Sequence, residues 1–177
     1  MKYVCLLRGI NVGGKNKVAM SDLKTVFLDL GFQNVLTYIN SGNVIFESEE
    51  KEIEKLIIII ESALKQKILP LRVTVMSQKQ FQNNLKNAPK DWGKDKTRSH
   101  NIAFVRPPVT AKQVLDQIGV TSEEFDVVTA GQSVIFLSYS VKNFGKTAVS
   151  KLPGNPIYQQ ITLRNYNTAI KLLKLLS

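Results

Sequence analysis

The sequence predicts a mixed α/β (α+β) protein made of two tandem βαββαβ halves, each with an antiparallel sheet. Three observations predict it. Short β-rich runs alternate with helical stripes in the same order in both halves of the 177 residues. Val44-Ile45-Phe46 after one hairpin turn is echoed by Val134-Ile135-Phe136 after another. Arg8 and Arg106 each close the first strand of a half.

The elements follow in order. Tyr3–Arg8 reads as a buried strand. Ser21 is expected to cap a helix whose apolar positions Leu23, Val26, Phe27 and Leu30 have helical spacing, and Gly31 stops it. Val35–Ile39 and Val44–Phe46 form a hairpin across Asn40-Ser41-Gly42-Asn43. A helix from about Glu49 to Lys67 carries Ile53, Leu56, Ile57, Ile60 and Leu64 on one stripe. Arg72–Met76 is a strand, and Ser77–Lys86 a bridging helix. The polar stretch 87–99, with Pro89, Gly93 and several lysines, is the linker, so the expected division is 1–86, 87–99 and 100–177. In the second half Asn101–Arg106 is a strand, and Thr110 caps a helix ending near Gly119. Phe125–Thr129 and Ser133–Ser138 form a hairpin, residues 143–151 a short helix, Ile161–Leu163 a strand and Asn165–Leu176 the closing helix. A four-stranded antiparallel sheet with two helices on one face is the ferredoxin-like arrangement.

Composition narrows the setting. Hydrophobic residues make up 44% and charged residues 21%, as in an ordinary globular chain. The longest apolar run, Leu56–Ile60, is far below the roughly 20 residues of a membrane span. No secretory leader is read at the N-terminus, and the lone Cys5 makes no internal disulfide, so a cytoplasmic setting without a membrane partner is expected. Cys5 and His100 alone make no zinc site, so no metal is expected. The net charge is +10 and is unevenly spread. Residues 1–21 hold four Lys/Arg and no acid, and residues 127–177 hold six and no acid. If these stretches meet, they make a positive face for phosphates or nucleic acid.

The candidate site begins at Arg8-Gly9-Ile10-Asn11-Val12-Gly13-Gly14-Lys15-Asn16-Lys17, with three glycines, two asparagines, three cations and no carboxylate. Glycines allow positive φ and close approach of backbone to ligand. Successive amides can cradle an anion, and Arg8 can fork onto two oxygens. The spacing is neither a Walker A nor a GxGxxG motif. Asn40, Ser41 and Asn43 of the hairpin turn are further candidates, although turn chemistry alone explains them. The turn is expected at the opposite end of the sheet from the glycine loop, unless the long loop folds back. Arg164, Asn165 and Asn167 open the last helix, where orphan amides favour anions and Tyr166 could stack on a ring.

Other chemistry is thin. Gly145-Lys146-Thr147 imitates a P-loop end, but Ser140 stands where glycine is required. Tyr3 and Phe46 could form a stacking face like that of an RNA-recognition module, without its surrounding pattern. His100 reads as a structural or surface histidine, Cys5 as core, and Trp92 as an anchor of the linker. No carboxylate pair lies within a motif.

The runs RGINVGGKNKVAM, TYINSGNVIF and TLRNYNTAIKL resemble the three signatures of the domain-of-unknown-function family 1697, spread over the whole chain. The resemblance implies two ferredoxin-like subdomains and no activity. It places proline where Ala19 stands, and often tryptophan where Tyr166 stands. The expected function is binding of a phosphate-bearing ligand, a nucleotide or nucleic acid. Arg8 and Arg164 would supply charge, Gly13, Gly14 and Lys15 the loop contacts, and Asn11 and Asn43 the orientation. Two alternatives fit the same pattern: an enzyme acting on a small anionic substrate, and a protein-interaction module docking an acidic partner. The sequence assigns no cofactor, no reaction and no oligomeric state.

Overall fold

The computed structural model describes residues 1–119 and 122–177. Their chain divides into two compact units, Met1–Gln82 with Lys174–Ser177, and Asn83–Leu173. Each unit contains a four-stranded antiparallel sheet. Segment 87–99 falls inside the second unit rather than between the two.

In the first unit the elements are β1 (Lys2–Leu7), α1 (Met20–Asp29), β2 (Gln33–Tyr38), β3 (Asn43–Glu47), α2 (Ile53–Lys67) and β4 (Val73–Ser77). The strand order is β2-β3-β1-β4. Alternation in β1 sends Tyr3, Cys5 and Leu7 towards the helices, where they join Val44, Phe46, Leu23, Phe27, Leu56 and Ile60 in one core. Tyr3 stacks on Phe46 at 5.6 Å, and Phe46 meets the rings of Phe27 at 5.3 Å and Phe32 at 4.5 Å. Both Tyr3 and Phe46 are fully buried. The stacking face considered for them is therefore ruled out: these aromatics belong to the helix side of the sheet. The Tyr3 hydroxyl donates to the Glu50 carbonyl at 2.8 Å, and burial, then the nearby Glu50 charge, pushes the phenol up from its ordinary value.

Two helix starts differ from expectation. Ser21 is not a cap. Ala19 occupies the N-cap position in extended conformation with no side-chain cap, and Ser21 Oγ lies 3.4 Å from Asp22 Oδ1 inside the first turn. The entry is fixed instead by Asn11, whose side chain grips both backbone groups of Val18 (2.9 Å each). Helix α2 starts at Ile53, not near Glu49, because Glu50 turns its carboxylate onto the N–H groups of Lys51 and Glu52. Those donors hold the Glu50 carboxyl below the usual carboxylate range, the Glu52 N–H contributing most.

Beyond α3 (Gln78–Lys86), the second unit contains β5 (Arg98–Val105), α4 (Ala111–Ile118), β6 (Asp126–Ala130), β7 (Val134–Ser140) and β8 (Ile161–Asn165), ordered β6-β7-β5-β8. Helix α5 covers Tyr166–Leu176. Thr110 and Gln113 close a reciprocal capping box at α4, as expected. The short helix expected at 143–151 is not one α-helix but begins a run of 3₁₀ turns. Three 3₁₀ segments, Phe144–Lys146, Val149–Gly154 and Pro156–Gln160, stand in its place, since Gly145, Pro153, Gly154 and Pro156 interrupt any α-helical run. Val149 and Leu152 still fill the core beside Ala103, Ile135 and Leu137. Buried Asp126 accepts from the N–H groups of Ala148 and Val149 and pins this segment.

Trp92 anchors the polar stretch onto this unit. Its Nε1–H donates to the Asn101 carbonyl at 3.0 Å, and its ring meets Phe136 at 5.0 Å and Tyr166 at 4.9 Å. No helix among the described residues is long and apolar enough to cross a membrane.

Candidate functional site

Antiparallel pairing sets the geometry of one end of the first sheet. Leu6 pairs with Asn43 and Leu7 with Val73, so the last residues of β1 lie between the first residues of β3 and β4. The Leu7 N–H donates to the Gly42 carbonyl at 2.8 Å, and the Arg8 N–H to the Arg72 carbonyl at 3.0 Å. The glycine loop and the Asn40–Asn43 turn therefore share one end of the sheet. The expectation that they lie at opposite ends is corrected: in an antiparallel pair the end of one strand neighbours the start of the other.

The loop after β1 is itself a small hairpin. Asn11 N–H donates to the Asn16 carbonyl at 3.1 Å, and Lys15 N–H to the Val12 carbonyl at 3.0 Å. Gly13 and Gly14 occupy the two central positions with φ of 57° and 76°, a type I′ turn. Gly9, Asn11 and Asn16 also take left-handed φ, at 68°, 54° and 48°. Asn16 Nδ2 donates to the Gly9 carbonyl at 2.9 Å. The N–H groups of Asn11 and Lys15 are thus used within the loop, while those of Gly13 and Gly14 bond nothing among the described residues.

Asn11 is the keystone of this end. Its amide nitrogen donates to the carbonyls of Val18 (2.9 Å) and Asn40 (2.8 Å), and its carbonyl accepts from Val18 N–H (2.9 Å). Asn43 is fully buried and donates to the Tyr38 carbonyl at 2.9 Å and to Ser41 Oγ at 3.1 Å. Both asparagines hold the turn and loop in place. Asn40, Gly13, Gly14, Lys15 and Lys17 are exposed, and Arg8 is half-buried.

At the loop end of the first sheet stand Arg8, Lys15, Lys17 and Arg72, together with Glu61, whose Oε1 accepts from Val73 N–H at 2.9 Å and which lines a cavity of about 250 Å³ with Lys65 and Arg72. Sequence reading missed Arg72, although its place beside Arg8 follows from counting the antiparallel register back from Val73. The described ion pairs are Lys55–Glu52, Lys67–Asp29, Lys94–Asp91 and Arg98–Asp95, and none involves Lys15, Lys17 or Arg72. At the other end, where Lys2 pairs with Glu47, a cavity of about 520 Å³ is rimmed by Glu47, Glu49 and Glu50.

Arg164, Asn165 and Asn167 lie in the second unit. Arg164 is in β8 opposite Ile102, nearly buried, and its Nη1 donates to the Leu163 carbonyl at 2.8 Å. Asn165 caps α5 through Thr168 N–H at 2.8 Å, and Asn167 is exposed. A cavity of about 390 Å³ in this unit is lined by Trp92, Asp95, Arg98, His100, Phe136 and Ser138 among others. His100 is held at both nitrogens, Nδ1 by Ser138 Oγ (2.8 Å) and Nε2 by the Asp95 carbonyl (2.7 Å). The Thr97 hydroxyl and N–H, followed by the charges of Arg98 and His100, hold the Asp95 carboxyl below its ordinary range. Among the described residues no group of His, Cys, Asp and Glu side chains is placed to hold a metal ion.

Residues 1–136 match the profile of a family described as "Protein of unknown function (DUF1697)". The solved structure of the conserved bacterial protein SP0830 from Streptococcus pneumoniae is similar over 99% of this chain and 98% of its own, with 31% identity and a TM-score of 0.85. An unknown protein from Galdieria sulphuraria aligns over 93% of this chain and 95% of its own, with 10% identity and a TM-score of 0.26. No curated protein matches the sequence.

Proposed function

The chain belongs to the DUF1697 family of proteins of unknown function, and we propose that it binds a phosphate-bearing ligand at the loop end of its first sheet. One observation carries this reading. Lys15 and Lys17 are exposed beside the glycine tip, Arg72 is exposed on the strand end whose carbonyl accepts from Arg8 N–H, and none of the three is in an ion pair among the described residues. Cations left unpaired beside one another repel, and an arriving anion relieves that repulsion. The N–H groups of Gly13 and Gly14 add uncharged donors at the same place. The Arg8 N–H donates to the Arg72 carbonyl, which sets the two residues side by side on neighbouring chain segments.

Turnover is not part of the proposal. Cys5 is fully buried, so it offers no accessible nucleophile. The test is titration of the full chain with inorganic pyrophosphate, ATP and nucleic acid, alongside a triple variant, Lys15→Ala with Lys17→Ala and Arg72→Ala. The proposal expects binding of at least one of these phosphates that weakens as salt rises and falls sharply in the variant. Equal binding by both proteins, or none by the wild type, would overturn it.

A further inference from the structure

We infer that β6 is a docking edge for a second copy of this chain, the two β6 strands pairing antiparallel about a two-fold axis at Val128. β6 lies at one side of its sheet and pairs only with β7. The Ser140 N–H donates to the Phe125 carbonyl and the Gly131 N–H to the Val134 carbonyl, so Phe125, Val127, Thr129 and Gly131 turn their backbone groups towards β7. Alternation then points the N–H and C=O of Val128 and Ala130 away from the sheet, and they bond nothing among the described residues. Val127 is 41% exposed, and Thr129 and Ala130 are exposed. Such an open row of donors and acceptors is a template for the backbone of another strand. The other sheet edges are protected. β2 carries a register shift between Gln33 and Leu36, with Asn34 at a φ of 51°. Four residues of β4 and three of β8 are buried, and Glu61 answers the Val73 N–H at 2.9 Å. β6 has no bulge, no proline and no lysine, the devices that blunt an edge.

The strand is complementary to itself. Pairing about Val128 sets Val128 opposite the partner's Val128, where each N–H meets the other's carbonyl, and Ala130 opposite the partner's Asp126. The Ala130 N–H then donates to the Asp126 carbonyl, while the Asp126 N–H is already given to the Ser122 carbonyl at 2.8 Å. The Asp126 carboxylate accepts from the N–H groups of Ala148 and Val149, so no bare charge stands in the row. Val127 lies opposite the partner's Thr129, a β-branched pair that suits strand contact. Glu123 and Glu124, both exposed, fall opposite serine and glutamine (positions 133 and 132), so like charges do not face one another. In a chain of net charge +10, this acidic lead-in weakens the repulsion between copies at β6. A cavity of about 390 Å³ has Val127 and Thr129 in its lining together with Trp92 and Phe136. Its Arg98 and His100 are already bonded to Asp95 and Ser138, so a second copy extends the apolar wall with Val127 rather than supplying charge. Two-fold pairing uses up both edges and stops at a dimer.

The experiment measures the mass of the full chain by sedimentation equilibrium from about 10 μM to about 1 mM, with residue-resolved amide exchange at the same concentrations. Two variants accompany it. Ala130→Pro removes an outward N–H that β7 does not use, a change that an edge strand tolerates. Thr129→Lys puts a charge on the exposed face of the edge. The parent is expected to pass from monomer to dimer and no further, and the Val128 and Ala130 N–H groups to exchange more slowly as concentration rises. Each variant should weaken the dimer about tenfold or more and leave the melting temperature in dilute solution nearly unchanged. A parent that stays monomeric throughout overturns the inference and leaves the edge to a strand of another protein. Masses beyond the dimer, or a dimer equally strong in both variants, overturn it too. So does dimerisation without added protection at Val128, since the copies would then meet elsewhere. Should Ala130→Pro fold poorly, Thr129→Lys and the exchange at Val128 still decide.

Discussion

Asn11 Nδ2 donates to the main-chain carbonyl of Asn40 at 2.8 Å, and this bond joins the glycine loop to the β2–β3 turn. The same side chain holds Val18 through two more bonds, and Val18 leads into α1. One amide thus fixes a loop, a turn and a helix entry. Replacing it with alanine leaves two carbonyls and one N–H unanswered and puts a Cβ residue with no compensating bond at a φ of 54°. Asn11→Ala should destabilise the chain by about 1–3 kcal/mol in urea unfolding. Amide exchange should speed up at Val18. A variant as stable as the parent would show that the keystone role is wrong.

Gly42 shows a different dependence on the missing side chain. Its φ is 74°, and a Cβ there would lie 2.6 Å from Ile10 Cδ1 and 2.8 Å from Leu7 Cβ. Leu7 and Ile10 are both buried, so neither can swing away freely. Gly42→Ala is expected to cost about 2 kcal/mol or more, combining overpacking with left-handed strain. Gly13→Ala meets open space and bears only the strain, so it should cost less. Thermal unfolding of the two variants side by side decides it, and an inverted order would refute the packing argument.

The contrast between these glycines marks how far the sequence could be read. The order of strands and helices was legible because period-two and 3.6-residue patterns are local. The direction of a strand's faces was not: Tyr3 and Phe46 alternate correctly for either face, and only the helices of the finished sheet decide which one is buried. Gly145, Pro153 and Pro156 favour the tight 3₁₀ turns found between residues 144 and 160 over an α-helix. The glycine loop and its cations were legible by composition. The roles of Asn11 and Asn43 were not, since a primary amide serves a ligand or its own backbone equally well, and the partner's position is a tertiary fact. Arg72 was missed because its proximity to Arg8 comes from strand register between residues 64 positions apart (72 − 8).

Glu50 makes the acid limb of stability testable. Its carboxylate accepts from the N–H groups of Lys51 and Glu52 at 2.7 and 2.9 Å and titrates below its ordinary value. A group depressed in the folded state contributes stability above its unfolded pKa and loses it as pH falls through the folded pKa. The contribution should thus be complete at neutral pH and fade below about pH 4. In Glu50→Gln the neutral amide still accepts but no longer titrates, so the variant should be slightly less stable at pH 7 and lose less on acidification. Parallel stability curves for the two proteins between pH 7 and pH 3 would dismiss this role.

Ala19 offers a gain rather than a loss. It occupies the N-cap of α1 with φ −73° and ψ 137°, inside the range that a proline ring imposes on φ. It is exposed, and its N–H makes no hydrogen bond among the described residues, so a pyrrolidine ring removes no donor that the fold uses. The Ala19 carbonyl, which accepts from Leu23 N–H at 3.1 Å, is retained. Proline narrows the unfolded ensemble and leaves the folded helix start unchanged, so Ala19→Pro should stabilise by about 0.4–1 kcal/mol. For a chain of this length that is a rise of about 1–4 °C in melting temperature. The effect acts through the unfolded chain, so it should appear as a shifted unfolding midpoint with an unchanged denaturant slope. A lower melting temperature would mean that the ring collides with Val18, and that the helix entry held by Asn11 has no room for it.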